Sequence, residues 1–188
     1  MLGTTDLSIV VVNDGQYTLS EGVGTEVDPT TLTTQEILEK VKAAGIVGLG
    51  GAGFPTHVKL APKDPAAIKY VIANGAECEP YITCDDQLMR NYADEIVGGL
   101  KIMLQLFPNA EGVVLIEENK PEAIAAVQKV CANENKIHVH PVHVKYPQGG
   151  ERAIMDVVAG KHIKLGMLPA DVGCVVDNVA TVRAIYRA

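Results

Sequence analysis

Short apolar runs alternate with helical patterns beyond residue 68, and this alternation constrains the fold of the chain more than any other feature. We predict strands at residues 69–73, 113–116, 137–144 and 173–176. Helices are predicted near residues 87–106 and 121–132, after Gly150, and after the fourth strand. Apolar strands joined by helices are typical of parallel sheets that are buried on both faces. The sequence therefore predicts an α/β domain, a mostly parallel sheet with helices on both faces.

The first 32 residues lack this pattern and are predicted to form an appendage. Residues 7–19 have the pattern of a β-hairpin, because two β-prone runs flank the turn sequence Asn13-Asp14-Gly15. A two-stranded hairpin alone is only marginally stable, so residues 1–32 are interpreted as a hairpin and linker left from a preceding domain. Thr33 and Glu36 have the spacing of a helix capping box, and the main domain is predicted to span residues 33–188.

Composition and charge exclude several classes of protein. The 188 residues are 47% hydrophobic and carry a net charge of −7, which is typical of a folded domain and excludes disorder. Only 4% are aromatic and acidic residues outnumber basic ones, so no nucleic-acid-binding surface is expected. No apolar run approaches the roughly 18–20 residues that span a bilayer, and the first residues lack the basic segment of a signal peptide. We therefore expect a cytoplasmic protein with no membrane span of its own.

Metal ligation is not expected from the cysteines or the histidines. The cysteines form no C-x-x-C pair and lack the ligand spacing of zinc or iron–sulfur sites, so we expect all of them to be reduced: Cys78, Cys84, Cys131 and Cys174. His138 and His140 share one face of a predicted strand. No Asp, Glu or Cys accompanies them in the pattern that catalytic zinc sites need.

The densest motif is a glycine-rich segment at residues 45–56, with five glycines in nine positions. Glycine costs conformational entropy on folding, so such a cluster indicates backbone that takes unusual dihedral angles or approaches a ligand closely. Gly48, Gly50 and Gly53 match the dinucleotide fingerprint in spacing, but a helix rather than a strand precedes them. The P-loop pattern also fails, because Phe-Pro stands where Lys and Ser or Thr are required. The segment is predicted to be a phosphate-binding loop of another kind.

Three more polar segments follow predicted strands, at residues 74–81, 145–152 and 177–181. Glu77 and Glu79 could act as acid and base, as metal ligands, or as acceptors for ribose hydroxyl and flavin N–H groups. Ligands bind open α/β sheets at the carboxyl ends of the strands. These segments and the glycine-rich segment are therefore predicted to form one site. The sequence lacks the nucleophile motifs of hydrolases.

These segments closely resemble the C subunit of the Rnf electron-transport complex. The resemblance rests on residues 44–60, 74–83, 118–123, 146–151 and 178–181 and covers nearly the whole chain. Four of these five segments are similar, more distantly, to the flavoprotein subunit of respiratory complex I. The resemblance implies a Rossmann- or flavodoxin-like domain that binds FMN and NADH and passes hydride from NADH to the flavin, or the reverse.

The same resemblance implies partners and a longer protein. Full-length members of the family carry two 4Fe–4S clusters in a further domain, so this chain is interpreted as a fragment. Other Rnf subunits are the implied partners, with ferredoxin as an indirect one. The implied location is the inner face of the cell membrane, to which the chain would be held through those subunits.

Matching positions assign residues to the two ligands. The FMN contacts implied by the resemblance are Gly48, Gly50, Gly51, Lys59, Asn74, Glu77, Gly149, Asn178 and Thr181. The implied NADH contacts are Phe54, Glu79 and Glu151. Glycine N–H groups and a lysine suit an anionic phosphate, and carboxylates suit ribose hydroxyls. No catalytic nucleophile is assigned, because hydride transfer needs none, and no metal ligand is assigned.

The chain departs from both relatives at several positions. Leu49 stands where the complex I loop has arginine, and Leu60-Ala61-Pro62 replaces the aromatic residues that follow the lysine there. Arg152 and Ala153 replace the residues expected after the glutamate in typical Rnf subunits. These differences leave two alternatives open. One is an electron-transfer subunit of a soluble proline or cobalamin reductase, and the other is a non-catalytic interaction module that has lost the flavin.

Overall fold

A computed structural model describes residues 9–19, 23–164 and 166–188. Its centre is a sheet of four strands, β1 (Tyr70–Gly75), β2 (Glu111–Glu117), β3 (Ile137–Val142) and β4 (Cys174–Asn178). The α-helices are α1 (Thr34–Ala43), α2 (Thr56–Lys59), α3 (Cys84–Asn91), α4 (Ala93–Leu104), α5 (Pro121–Cys131), α6 (Glu151–Ala159) and α7 (Val179–Arg187). Short 3₁₀ turns occupy Pro29–Thr31, Pro65–Ala67 and Pro169–Val172. In this described part of the chain, no helix is long and apolar enough to cross a membrane.

The sheet is parallel throughout and is buried on both faces. Its strand order is β3-β2-β1-β4. In β1, Val71 and Ala73 pack into a core with α1, α3, α4, α5 and α7, whereas Ile72 packs into a second core with α6. Successive side chains of a strand point to opposite faces, so a strand covered on both faces must be apolar along its whole length. The predicted α/β class, with helices on both faces, is confirmed.

The strand order places a crevice between the carboxyl ends of β1 and β4. The chain runs from β1 outward to β2 and β3, and then returns to the other side of β1 as β4. The loops that follow β1 and β4 therefore lead away in different directions, and ligands of open α/β sheets bind at such a point. Asn74 on β1 is paired in register with Asn178 on β4, so the two strand ends lie side by side.

The single helix predicted near residues 87–106 is two helices in the structure. Tyr92 separates α3 from α4, with φ −137° and ψ 37°, outside the helical region. The guanidinium group of Arg183 on α7 lies 3.8 Å from the centroid of the Tyr92 ring. Because this contact joins residues far apart in the sequence, the local periodicity could not predict the break.

The predicted N-terminal hairpin is not confirmed. Residues 9–19 contain no strand, and residues 7 and 8 of the predicted hairpin lie outside the described part of the chain. The turn is purely local: the side chains of Asn13 and Asp14 accept hydrogen bonds from the backbone N–H groups of Gly15 and Gln16. Residues 9–12 are between 83% and 94% exposed. Two strands need a packing face or a third strand to be stable, and β propensity alone does not supply one.

The capping box at the start of α1 is confirmed. Thr33 Oγ1 accepts a hydrogen bond from the Glu36 backbone N–H, and the Glu36 carboxylate accepts one from the Thr33 N–H at 2.8 Å. Ile37 and Val41 bury one face of the helix. Gly45 follows with φ 66°, a left-handed conformation that glycine adopts without a Cβ penalty. The capping box therefore starts α1 where it was predicted, and a left-handed glycine follows the end of the helix.

Two neighbouring glycines in α4 are expected to differ in how well they tolerate a Cβ. A Cβ on Gly99 would lie 2.1 Å from the backbone carbonyl oxygen of Val182 on α7. We expect Gly99→Ala to lower the free energy of unfolding by about 2 kcal/mol or more, because overpacking outweighs the gain in helix propensity. A Cβ on Gly98 would meet the ring of Tyr186, a half-exposed side chain that can move. Gly98→Ala is therefore the matched control, and urea denaturation should show it to be within about 1 kcal/mol of the wild type.

Candidate functional site

The structure brings the four polar segments together at the carboxyl edge of the sheet. We call residues 45–56 the glycine loop, residues 74–83 the β1 loop and residues 145–150 the β3 loop. The fourth segment, residues 177–181, joins the end of β4 to the start of α7. Hydrogen bonds and close contacts join these segments in pairs, as described below. The predicted convergence at one sheet edge is therefore seen in the packing of the loops.

The glycine loop is a closed hairpin-like loop that rests on the start of α7. Val47 forms an antiparallel bridge with Pro55, and the Gly48 N–H donates to the Phe54 carbonyl oxygen at 2.9 Å. The Leu49 N–H donates to Thr181 Oγ1 at 3.0 Å, and Thr181 is fully buried. Thr181 therefore holds the loop in place through its hydroxyl group.

Two of the loop glycines are required for different reasons. A Cβ on Gly50 would lie 2.8 Å from the Cβ of Asn178, so only glycine allows the loop to approach the end of β4 so closely. Gly53 has φ 68°, where an L side chain is strained. Asn178 itself caps α7 by accepting a hydrogen bond from the Ala180 N–H at 2.8 Å. The contact thus fixes the loop against a helix N-terminus.

The tip of the glycine loop presents free backbone donors. Gly50, Gly51 and Ala52 are exposed, and their N–H groups find no acceptor within the described part of the chain. A Cβ on Gly51 would have nothing within 4 Å, so packing inside the protein does not explain this glycine. Consecutive free N–H groups form a concave anion-binding surface. The loop tip can therefore bind an anionic group such as a phosphate.

Lys59 carries the positive charge at the end of α2 and lies among acceptors. Its Nζ donates to the Val176 carbonyl oxygen at 2.7 Å and lies 3.2 Å from Asp177 Oδ1 and 3.9 Å from Glu151 Oε1. Asp177 is only 2% exposed, and neither of its carboxylate oxygens accepts a hydrogen bond of good geometry from the described residues. Burial raises the pKa of Asp177 to about 6, although the nearby Lys59 ammonium group acts to lower it. Lys59 thus ties α2 to the edge strand β4.

The β1 loop and the β3 loop are joined by Asn74 and Gly149. The Asn74 Nδ2 donates to the Gly149 carbonyl oxygen at 3.0 Å, and its Oδ1 accepts from the Ala76 N–H at 3.1 Å. A Cβ on Gly149 would lie 2.4 Å from the Ala76 carbonyl oxygen. Gly149 is therefore required for the close approach of the two loops, and Asn74 orients both.

Glu77 has a structural role that its sequence position does not reveal. Its carboxylate accepts hydrogen bonds from the N–H groups of Asp85 and Asp86 and from Cys84 Sγ. The carboxylate of Glu77 therefore caps α3, although Asp85 and Asp86 lie in the first turn of that helix. Asp85 instead accepts a hydrogen bond from Asn178 Nδ2 at 2.7 Å, which links α3 to the end of β4.

Glu77, Cys84 and Asp85 also place three possible metal ligands within 4.8 Å of one another, the one such group in the described ranges. The Cys84 thiol donates to Glu77, and this hydrogen bond raises the thiol pKa. A protonated thiol is a poor metal ligand. The Glu77 carboxylate is already used by three donors. The geometry therefore favours a helix cap over a metal site.

Buried polar atoms without partners also lie near the same edge in the part of the chain that the structure describes. Glu117 ends β2 and Gln148 lies in the β3 loop; both are 1% exposed, and each has one side-chain oxygen without a hydrogen-bond donor. Thr56 at the start of α2 is fully buried with an unpaired hydroxyl group. Buried acceptors are nearly always satisfied, so unpaired ones at a site edge indicate a missing donor. Thr56 and Gln148 lie inside segments predicted for the site but were assigned no role, whereas Glu117 lies outside them. A polar residue that ends an apolar strand is the signal that could have identified Glu117.

The three residues matched to NADH contacts are accessible. Phe54 is 52% exposed in the glycine loop, and Glu79 is exposed in the β1 loop. Glu151 begins α6 with its side chain about half exposed. Near Glu79, Tyr81 has φ 69° and a fully exposed ring. These side chains are free to contact a second molecule at the site.

The chain is similar to a known family and to curated relatives. The profile of the Nuo51 FMN-binding domain matches residues 41–187. The C subunit of the Na(+)-translocating ferredoxin:NAD(+) oxidoreductase complex of Acetobacterium woodii is 40% identical over 186 residues, which cover 99% of this chain and 42% of that protein. The C subunit of the proton-translocating ferredoxin:NAD(+) oxidoreductase complex of Clostridium ljungdahlii is 43% identical over 181 residues, or 96% and 39% of the two proteins. This chain therefore spans about two fifths of the length of these relatives.

A solved structure has the same fold. The NAD+-reducing nickel–iron hydrogenase in its air-oxidized state matches with a TM-score of 0.66 and 25% sequence identity. The match covers 85% of this chain and 30% of the hydrogenase chain. The parallel sheet and its surrounding helices are thus shared with a domain of a larger redox protein.

Proposed function

This chain belongs to the family of the Nuo51 FMN-binding domain, and from that premise we propose that it binds FMN and NADH and passes hydride between them. We further propose that it does so as part of an Rnf-type C subunit, in an ion-translocating ferredoxin:NAD oxidoreductase. Its curated relatives, by name, belong to complexes with that activity. The other members of such a complex are the proposed partners, and ferredoxin is an indirect one.

One observation carries the proposal for FMN: the exposed, unpaired N–H groups of Gly50, Gly51 and Ala52 at the tip of the glycine loop, within the described part of the chain. A phosphate group is the ligand that such a run of donors binds best. The loop rests on the start of α7, whose N-terminus adds a favourable dipole for an anion. The 5′-phosphate of FMN supplies that anion.

The unpaired buried acceptors near this edge also fit FMN. Glu117 and Gln148 each have a buried oxygen without a donor, and FMN has ribityl hydroxyl groups and a ring N–H that can donate. Asn74 and Gly149 hold the β1 and β3 loops together and would shape the space for the ring. When bound, FMN supplies a two-electron hydride acceptor that can release electrons singly. The residues of this chain would bind and orient it.

NADH is proposed to bind on the accessible side of the same site. Phe54 offers an exposed aromatic ring for stacking, and Glu79 and Glu151 offer carboxylates for ribose hydroxyl groups. The Lys59 ammonium group lies 3.9 Å from Glu151 Oε1 at the start of α6. Positioning of the nicotinamide next to the flavin is the contribution that hydride transfer requires from a protein.

The proposal is tested by adding FMN and then NADH to the purified chain. We expect a bound-flavin absorption spectrum with FMN, followed by bleaching of the flavin band when NADH is added without oxygen. Riboflavin, which lacks the phosphate, is the control and should bind more weakly by at least about tenfold, since it loses the charge-assisted hydrogen bonds. A chain that binds no FMN would be the non-catalytic module. A chain that binds FMN but is never bleached by excess NADH would receive its electrons from another donor.

Glu77→Gln and Glu79→Gln are expected to separate the two ligands. Glu79 is exposed and its carboxylate has no partner within residues 9–19, 23–164 and 166–188, so Glu79→Gln should leave stability and FMN affinity unchanged. We expect NADH affinity to fall by about tenfold, the typical cost of one charge-assisted hydrogen bond. Glu77→Gln should weaken FMN binding and lower stability by about 1 kcal/mol, because it removes the charged cap of α3.

Titration of both ligands against both variants measures these effects, with thermal unfolding as the stability readout. Equal losses for FMN and NADH in both variants would contradict separate roles and would make the β1 loop a scaffold only.

A further inference from the structure

The least explained group at the site is the carboxylate of Asp177 on β4. It is buried to 2% exposure, and neither oxygen accepts a hydrogen bond of good geometry within residues 9–19, 23–164 and 166–188. An ionised carboxylate in such surroundings is costly unless a cation compensates it. The Lys59 ammonium group, 3.2 Å from Oδ1, is the cation that does so. An asparagine would fill the same space at the strand end with less electrostatic cost. Folding alone therefore does not explain why this position carries an acid.

The charges around Asp177 do not balance. Within the part of the chain that the structure describes, two charged groups face it: Lys59 on α2, and Glu151 on α6, whose negative charge acts against its ionisation. Its register partner on β1 is Ala73, which is uncharged. Asp85 on α3 reaches the neighbouring Asn178 rather than Asp177. One ammonium group is thus shared by two carboxylates, and the cluster carries a net negative charge when both are ionised.

Lys59 is held in place but not enclosed. Its Nζ donates to the Val176 carbonyl oxygen, while its side chain is 26% exposed. An anion that reaches this ammonium group places further negative charge beside Asp177 and competes for the same cation. Nearby negative charge favours the protonated form of a buried carboxyl group. Binding of the anion and protonation of the carboxylate must then favour each other.

We propose that Asp177 is a positioning residue for Lys59 that takes up one proton from solvent when an anionic phosphate contacts the Lys59 ammonium group. The one bond formed is the O–H bond of the Asp177 carboxyl group, its proton comes from solvent, and it neutralises the carboxylate that shares the lysine. The inference rests on the proposed function in that FMN is the phosphate-bearing ligand. The raised pKa of Asp177, about 6 because of burial, places this proton in the physiological range. FMN affinity would therefore depend on pH through a residue that need not touch the flavin.

The first test compares FMN binding by the wild type and by Asp177→Asn in calorimetry at pH 7, using buffers of different ionisation enthalpy. We expect the wild type to take up on the order of half a proton more per FMN than the variant. The titration of free FMN is the same in both experiments and cancels in this difference, and the non-titrating sulfate used below separates protonation of Asp177 from protonation of a bound phosphate. Between pH 6 and 8, wild-type affinity should fall relative to the variant by about tenfold. Riboflavin, without a phosphate, should show no difference in proton uptake between the two proteins.

Asp94→Asn is the matched control, because it removes the same charge from an exposed position in the first turn of α4. Its proton uptake and its affinity should match those of the wild type with both FMN and riboflavin. Equal proton uptake by the wild type and Asp177→Asn would overturn the inference. A difference that persists with riboflavin would also overturn it, since the phosphate would not be the cause.

The second test does not need FMN. The carboxyl carbon of Asp177 is followed by NMR during a pH titration with sulfate, a dianion that does not titrate in this range, or with chloride at the same ionic strength. Sulfate should move the Asp177 midpoint to higher pH, and an unmoved midpoint would overturn the inference. A moved midpoint in a protein that binds no FMN would instead refute the flavin function while supporting the link between Asp177 and an anion.

Discussion

Gly51→Val should reduce FMN affinity by at least about 100-fold while the protein stays folded. Packing inside the protein does not explain why residue 51 is a glycine, because a Cβ there would have nothing within 4 Å. Its N–H and those of Gly50 and Ala52 are the free donors proposed for the phosphate. A branched side chain at the loop tip would occupy the space of that phosphate and remove two or more charge-assisted hydrogen bonds, each worth about 1.5–3 kcal/mol.

The measurement is quenching of FMN fluorescence, with thermal unfolding as the check on folding. Ala132→Val is the matched control, because Ala132 is an exposed residue following α5, and α5 leads into the amino end of β3. The site lies at the opposite edge of the sheet. Unchanged FMN affinity in Gly51→Val would remove the glycine loop from the phosphate site. Gly50→Val is a less informative variant, since its Cβ would also collide with Asn178 and disturb the loop itself.

The stability of Asp177→Asn relative to the wild type should depend strongly on pH. The pKa of Asp177 is raised from 3.8 to about 6 in the folded protein, chiefly by burial. A raised pKa means that the folded state holds its proton where the unfolded state has lost it. The stability associated with this proton is fully present below about pH 4 and is lost as the pH rises through 6. The shift of about two units corresponds to about 3 kcal/mol.

Urea denaturation of both proteins from pH 4 to pH 8 tests this, because titrations of the other carboxylates cancel in the difference. We expect the wild type to lose roughly 2 kcal/mol relative to Asp177→Asn between these limits, with most of the loss between pH 4 and pH 6. Asp94→Asn should run parallel to the wild type. A constant difference between the wild type and Asp177→Asn would contradict a buried carboxylate at this position.

Several elements of the fold could be predicted from local patterns. The four strands and the helices α5 and α6 lie close to their predicted positions, because burial on both faces of a strand and on one face of a helix leaves a local apolar period. The capping box of α1 depends on residues three positions apart, so it is also visible in the sequence. Where the local sequence pattern predicted an element that lacks a packing partner, the structure does not contain that element. The hairpin of residues 7–19 had the right propensities, but no strand is seen in residues 9–19, which stay exposed.

The candidate site was partly predictable for the same reason. Its segments were found because polar and glycine residues interrupt apolar runs at strand ends. Their detailed roles were not found, because these roles depend on contacts between distant parts of the chain. Glu77 was matched to a flavin contact, yet it also caps α3. Glu117 and Gln148 were not singled out, because burial without a partner is a property of the packed molecule.

By itself, the sequence determined the α/β class, the position of the polar segments and the presence of a glycine loop, since each of these depends on residues that are neighbours in the chain. Contacts in the tertiary structure decided which particular residues are needed at these positions. Gly50 is required because it meets Asn178, and Gly149 because it meets the backbone of Ala76. Lys59 reaches across 117 positions to the carbonyl oxygen of Val176 and is paired with the buried Asp177 beside it. Desolvation and close approach arise only when distant segments pack together, so no local pattern in the sequence can record them.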